Sequence, residues 1–158
     1  WAKEFGLAQS TGIEITESIF ASDYDSINSI IEELRKADLY VAIDDFGTGY
    51  SSLAREKELK ADCMKIDKYF VDGLLTRDPN QVITADIISM AHKLGHCTIA
   101  EGVEHDIQLQ YLMEHGCDKI QGFLISEPLH EKEAFEFLEN HYKNKRVVAG
   151  NRRSNNEC

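Results

Sequence analysis

The stretch YVAIDDFGTGYSSL, residues 40–53, sets a short apolar run against two adjacent aspartates, Asp44 and Asp45, and follows them with a glycine-rich turn. A solvated loop has no need of an apolar lead-in, so Tyr40 to Asp45 reads as a strand whose end carries carboxylates. GIEIT (12–16), CMKID (63–67), TIAEGV (98–103) and KIQGF (119–123) are built the same way, each a β-branched or apolar run bounded by turn residues. Helical periodicity fills the intervals. In SDYDSINSIIEELRKADL (22–39), Ile27, Ile30, Ile31 and Leu34 fall on one face, with Ser22 or Asp23 as N-cap. DPNQVITADIISMAHKLG (78–95) predicts a helix capped by Asp78, with Pro79 in its first turn, a buried face of Val82, Ile83, Ile87, Met90, Ala91 and Leu94, and Gly95 as its stop. DIQLQYLMEHG (106–116) ends on Gly116 in the same manner, EKEAFEFLENHY (131–142) aligns Ala134, Phe135 and Leu138, and a shorter helix is expected from about Ser51.

Strand and helix alternating every 20 to 35 residues or so is the pattern of parallel βα units, in an open doubly wound sheet or in a barrel. Periodicity does not separate the two. The strand interiors add a constraint, because each carries one polar side chain opposite the apolar residues that would face helices: Glu14, Asp44, Lys65, Glu101 and Gln121. Taken singly, each reads as a cap or a strand-end charge. Five at matching positions of parallel strands converge on one rim, the place where α/β folds build their sites.

Composition sets the outer limits. The 158 residues are 42% hydrophobic and 28% charged, enough for one domain with a sizeable core. A formal net charge of −11 argues against DNA or RNA as partner, and no run is long and apolar enough for a membrane span. The chain opens WAKEFGLAQS without a signal-peptide pattern, as if cut from something longer. Cys63, Cys97, Cys117 and Cys158 form no C-x-x-C pair; the first three read as buried free thiols, and a reducing, cytoplasmic setting is expected. His92 and His96 flank the helix stop at Gly95 and need not share a face, which disfavours a histidine metal site.

Glu14, Asp44, Asp45 and Glu101 in one small volume, offset by Lys65, would repel unless a divalent cation intervened. An all-oxygen donor set without Cys or His favours Mg²⁺, Mn²⁺ or Ca²⁺ over zinc or copper. Adjacent carboxylates such as Asp44 and Asp45 suit two ions that brace an in-line displacement at phosphorus, so the chemistry fits phosphodiester hydrolysis. Lys65 would then stabilise phosphoryl charge and Glu101 accept a proton from water. The loop Phe46, Gly47, Thr48, Gly49 suits a lid, although a plain strand-to-helix connection explains its glycines as well. The DFG at 45–47 lacks the other protein-kinase signatures and is set aside. A Schiff-base role for Lys65 is disfavoured because the surrounding acids would keep it protonated.

Together IEITES (13–18), AIDDFGTGYSSL (42–53), MKIDKYFV (64–71), AEGVE (100–104) and GCDKIQGFLISEPL (116–129) resemble, in order and spacing, the EAL domain, the bacterial cyclic di-GMP phosphodiesterase. The resemblance implies a modified (β/α)₈ TIM-type barrel, here incomplete, with about five βα units over residues 1–143; the polar, locally basic and unpatterned 144–158 reads from its composition as a disordered tail. It implies hydrolysis of cyclic di-GMP to the linear dinucleotide with two Mg²⁺ or Mn²⁺ ions. By resemblance Glu14, Asp44 and Asp45 match metal ligands, Lys65 the lysine that holds the nucleophilic water, and Glu101 the general base. Gln121 matches a site glutamine, Glu104 belongs to the same rim, Glu17 steadies the lid loop, and a homodimer contact is expected near Tyr50 to Ser52. The Glu-Ala-Leu strand and an asparagine strand of the family are not in this sequence, so the 158 residues alone are expected to be inactive. The alternative is a non-catalytic cyclic di-GMP receptor or protein-interaction module.

Overall fold

Every strand expected from the apolar runs is present in the computed structural model, which describes residues 12–16, 23–46, 58–78 and 81–140. The elements are β1 (Gly12–Thr16), α1 (Tyr24–Lys36), β2 (Tyr40–Phe46), β3 (Cys63–Ile66), α2 (Lys68–Thr76), α3 (Thr84–Leu94), β4 (Cys97–Ala100), α4 (Asp106–Glu114) and β5 (Lys119–Ile120). All pairings are parallel, and the spatial order β1-β2-β3-β4-β5 is the order in sequence. A doubly wound sheet reverses at a switch point, whereas this one advances by one strand at each crossover, as part of a barrel does.

Side-chain alternation divides the sheet into two faces. Val41, Ile43, Met64, Ile66 and Ala100 pack under Ile27, Ile31, Ile87, Ile88, Ala91 and Leu112 in the main core. The opposite parity gathers Ala42, Cys63 and Ile99, with Tyr40 and Cys97 against them. Helix α1 starts at Asp23, whose carboxylate accepts the Asp25 N–H at 3.2 Å, and it buries Ile27 and Ile31. Ile30, expected on that face, is 58% exposed because it lies about 100° from Ile31 around the helix. Helix α3 also departs from expectation. It begins at Thr84 with Ile83 as N-cap, not near Asp78, whose carbonyl accepts the Gln81 N–H in a separate turn. The buried Thr84 hydroxyl donates to the Phe70 carbonyl at 3.0 Å and fixes that start against α2, while Ile83 is left exposed. Gly95 ends α3 in the left-handed region at φ 95°, as its position predicts.

Cys63 and Cys97 are not free thiols but a disulfide, which corrects the expectation. They are register partners on adjacent strands, Cα atoms 4.3 Å apart, so their side chains leave the sheet on the same face. Cys117 is a free thiol.

Ser126–Cys158 forms a second unit after Trp1–Ile125. Within it, residues 131–140 are helical, the Ala134 N–H donates to the His130 carbonyl, and Phe135 and Leu138 are exposed.

Asp62, just before β3, ties three elements together. Its carboxylate accepts from Arg35 Nε of α1 at 2.9 Å and from the Val41 N–H of β2 at 2.9 Å, and its carbonyl accepts the Cys97 N–H of β4. Burial pushes its pKa up, but the Arg35 hydrogen bond and the Val41 N–H outweigh this and hold the carboxyl below its ordinary range. A depressed folded-state value means the stabilisation is complete above the unfolded-state pKa and is lost as pH falls through the folded one. Asp62→Ala should therefore cost about 1–2 kcal/mol at neutral pH. The gap from the parent should close below about pH 3 in urea titrations, and a gap independent of pH would remove the assignment.

Candidate active site

Lys65 occupies the middle of β3 on the face away from the helices, and its side chain is 5% exposed. Its ammonium lies 2.7 Å from Glu14 Oε2, 3.0 Å from Asp44 Oδ1 and 2.6 Å from Glu101 Oε1. The backbone explains the convergence. Glu14 shares the parity of Gly12 and Thr16 on β1, opposite Ile13 and Ile15, and Asp44 alternates with Ile43 on β2. The Glu101 N–H donates to the Ile66 carbonyl at 3.0 Å, extending the β3–β4 ladder so that Glu101 reaches the level of Lys65. Ile43 pairs with Met64 and Phe46 with Ile66, so the extra residue of β2 falls at the Asp44–Asp45 step. Such a bulge re-aims side chains at the end of a strand.

Burial alone would push the Lys65 ammonium toward neutrality. The facing carboxylates of Glu101, Glu14 and Asp44 overcome it and raise the pKa well above the ordinary lysine value. Lys65 is a held cation, which opposes the Schiff-base reading, since a nucleophilic amine must be neutral. Three carboxylates around one ammonium leave an excess of negative charge, and Asp44 Oδ1, though within ion-pair distance of Lys65, is a buried oxygen without a directed hydrogen bond. An all-oxygen donor set with an excess of negative charge fits a hard divalent cation. Among the described residues no three acidic, His or Cys side chains converge on a single metal position, because Glu14, Asp44 and Glu101 turn to Lys65. The side chains of Asp45 and Phe46, and Glu17, Gly47, Thr48, Gly49 and Tyr50 to Ser52, lie outside the described residues.

Two expected rim residues take other positions. Glu104 pairs with Lys68 at 2.8 Å, and Lys68 also reaches Asp72 at 3.0 Å, so this carboxylate joins the loop after β4 to α2 and not to Lys65. Gln121 follows β5 with an exposed side chain, its N–H donating to the Ala100 carbonyl and its carbonyl accepting the Val103 N–H. His92 and His96 act separately: His92 Nε2 meets Asp118 at 2.8 Å and His96 Nδ1 faces the Ala61 carbonyl at 2.8 Å. Sequence reasoning missed Gln108. It is fully buried, its Oε1 accepts the N–H groups of Glu104 and His105, and its Nε2 donates to the Val71 carbonyl. The signal was a glutamine three residues after a helix-start residue, as in a capping box.

The family model described as "EAL domain" matches residues 2–128. The cyclic di-GMP phosphodiesterase NbdA of Pseudomonas aeruginosa is 40% identical over 126 residues, which are 80% of this chain and 16% of NbdA. Among solved structures, the EAL domain of Mycobacterium smegmatis DcpA superposes with a TM-score of 0.78 at 40% identity, covering 88% of this chain and 63% of that one. A manganese and cyclic di-GMP complex of Klebsiella pneumoniae BlrP1 has a TM-score of 0.64 at 33% identity, over 77% of this chain and 31% of that one. The chain therefore spans about a sixth of the curated relative. No helix among the described residues is long and apolar enough to cross a membrane.

Proposed function

This chain belongs to the EAL domain family, and on that premise we propose that its carboxylate and lysine cluster serves the hydrolysis of cyclic di-GMP to the linear dinucleotide. The observation that carries the reading is a buried Lys65 ammonium held by Glu14, Asp44 and Glu101 from separate strands at one rim. Structural proteins rarely bury such a set, because desolvating several charges is costly unless a function retains them.

In this reading Glu14, Asp44 and Asp45 would hold divalent cations, Mg²⁺ or Mn²⁺, which supply charge neutralisation at phosphorus and an acidified water. Lys65 donates to the attacking water or to a phosphoryl oxygen, where its fixed charge offsets the charge that develops in the transition state. Glu101 takes the proton of that water as its oxygen bonds to phosphorus, the opposite P–O bond breaks, and the proton ends on the departing ribose oxygen. Gln121 and Glu104, which lie off the Lys65 cluster, would act from the edge of the site, and the segment 46–49, steadied by Glu17, would close over the substrate. A homodimer through residues 50–52 and a cytoplasmic location accompany the proposal. Because the resemblance draws further metal ligands from strands this sequence does not contain, turnover by the 158 residues alone should be negligible.

A chimera tests the site: residues 12–129 replace the corresponding segment of the M. smegmatis domain, and linear dinucleotide release is measured. Turnover that a chelator abolishes and Mn²⁺ restores is expected, with Asp44→Ala lowering it by about 10²-fold or more. A folded chimera that binds cyclic di-GMP without metal and releases no product would support the receptor reading. The closure of all three described carboxylates on Lys65, with no three-ligand metal cluster among the described residues, is the observation that favours that alternative.

A further inference from the structure

The Cys63–Cys97 disulfide lies on the same sheet face as Lys65, one layer nearer the strand starts, in surroundings that differ for its two sulfurs. Cys63 is 2% exposed and Cys97 only partly buried. The Lys119 ammonium of β5 stands 3.9 Å from Cys63 Sγ and 4.9 Å from the centroid of the Tyr40 ring, which itself rests on Gly12 where a Cβ would come within 2.2 Å of it. Cys97 is thus the less buried residue of the pair, and the Cys63 sulfur has a cation beside it.

We propose that Cys63 and Cys97 form a thiol–disulfide exchange site, in which an external dithiol attacks Cys97 and Lys119 stabilises the Cys63 thiolate as it leaves. The incoming thiolate bonds to Cys97 Sγ, the Cys63–Cys97 bond breaks, and its electron pair stays on Cys63 next to the ammonium. The second thiol of the reductant then attacks its own sulfur in the mixed disulfide and frees Cys97. Two electrons and two protons pass from the dithiol to the cysteines, and the reductant leaves as a disulfide. The order of attack follows from access and leaving-group stability, since Cys97 is the less buried residue of the pair and the Cys63 sulfur has the ammonium 3.9 Å away. The site stands independently of the phosphodiester reading.

The test uses the full native chain. It is incubated with dithiothreitol without denaturant, quenched with an alkylating agent at intervals, and mapped by peptide mass spectrometry, with Cys117 as the reference free thiol. The Cys63–Cys97 peptide pair should disappear with single-exponential kinetics, with the mixed adduct trapped on Cys97, and return in oxidised glutathione. Lys119→Met should slow reduction by roughly threefold or more, and Lys119→Arg should restore the parent rate. A pair that opens only after denaturation, an adduct on Cys63, a linkage to Cys117 or Cys158, or a Lys119→Met rate equal to the parent's would overturn the assignment.

Discussion

Replacing Lys65 by Met should be the most damaging single change at the rim, lowering the unfolding free energy by about 3–5 kcal/mol at neutral pH. Methionine keeps most of the volume of the side chain, so the loss is electrostatic. Glu14, Asp44 and Glu101, each within 3.0 Å of the ammonium, would then face one another without their common partner. Asp44 and Glu101 have little recourse to solvent, with side chains 23% and 20% exposed, whereas Glu14 at 50% can turn outward. Removing one partner of a buried ionic set costs far more than the set contributes net, because the remaining charges stay desolvated. Urea denaturation of Lys65→Met, Glu101→Gln and the double variant separates the causes. The double variant should be more stable than Lys65→Met, since one of the stranded charges has gone. A Lys65→Met chain within about 0.5 kcal/mol of the parent would show that the ammonium does not hold the strand ends together. In the chimera the same substitution should lower turnover by about 10²–10³-fold.

How much of this was readable beforehand follows from what each feature depends on. The gathering of Glu14, Asp44, Lys65 and Glu101 was legible because it needs only strand parity and parallel direction, both local consequences of apolar alternation. The disulfide was not, since it depends on which strands are neighbours and in what register; Cys63 and Cys97 are 34 residues apart and meet only because β3 and β4 pair at those positions. Helix α2 is short, with Gly73 inside it, and leaves little periodic signal; its start rests on Asp67, which accepts the Tyr69 N–H. For α3 the Asp-Pro pair is a sound cap signal in isolation, but the Thr84 to Phe70 bond is a tertiary contact that sets the start several residues later. Glu104 lay in the right motif yet pairs with Lys68, because a motif places the backbone of the loop and not the direction of each carboxylate.

Gln108→Leu should be the second large effect, costing about 2–4 kcal/mol although leucine matches the apolar surroundings and nearly the size of glutamine. Both the Glu104 N–H, at 2.8 Å, and the His105 N–H, at 2.9 Å, end on Gln108 Oε1, and the Val71 carbonyl accepts from Nε2 at 3.2 Å. With the side chain fully buried, leucine would leave the two N–H groups unsatisfied where little water can replace the amide. Gln108→Glu distinguishes lost hydrogen bonding from altered packing. It keeps an acceptor for both N–H groups, and its carboxyl, once protonated, can again donate to Val71. Its stability relative to Gln108→Leu should therefore improve on acidification, a trend that packing would not produce. Amide exchange gives the local readout, with protection at Glu104 and His105 falling by about 10²-fold in Gln108→Leu while the β2 and β3 amides lose only what the global stability loses. The consequence reaches the rim because the same loop begins at Glu101, whose N–H is bonded to Ile66 while the segment beyond it is tied through Gln108 to α2. Unchanged protection at both amides would mean that Gln108 fills space and does not position the loop.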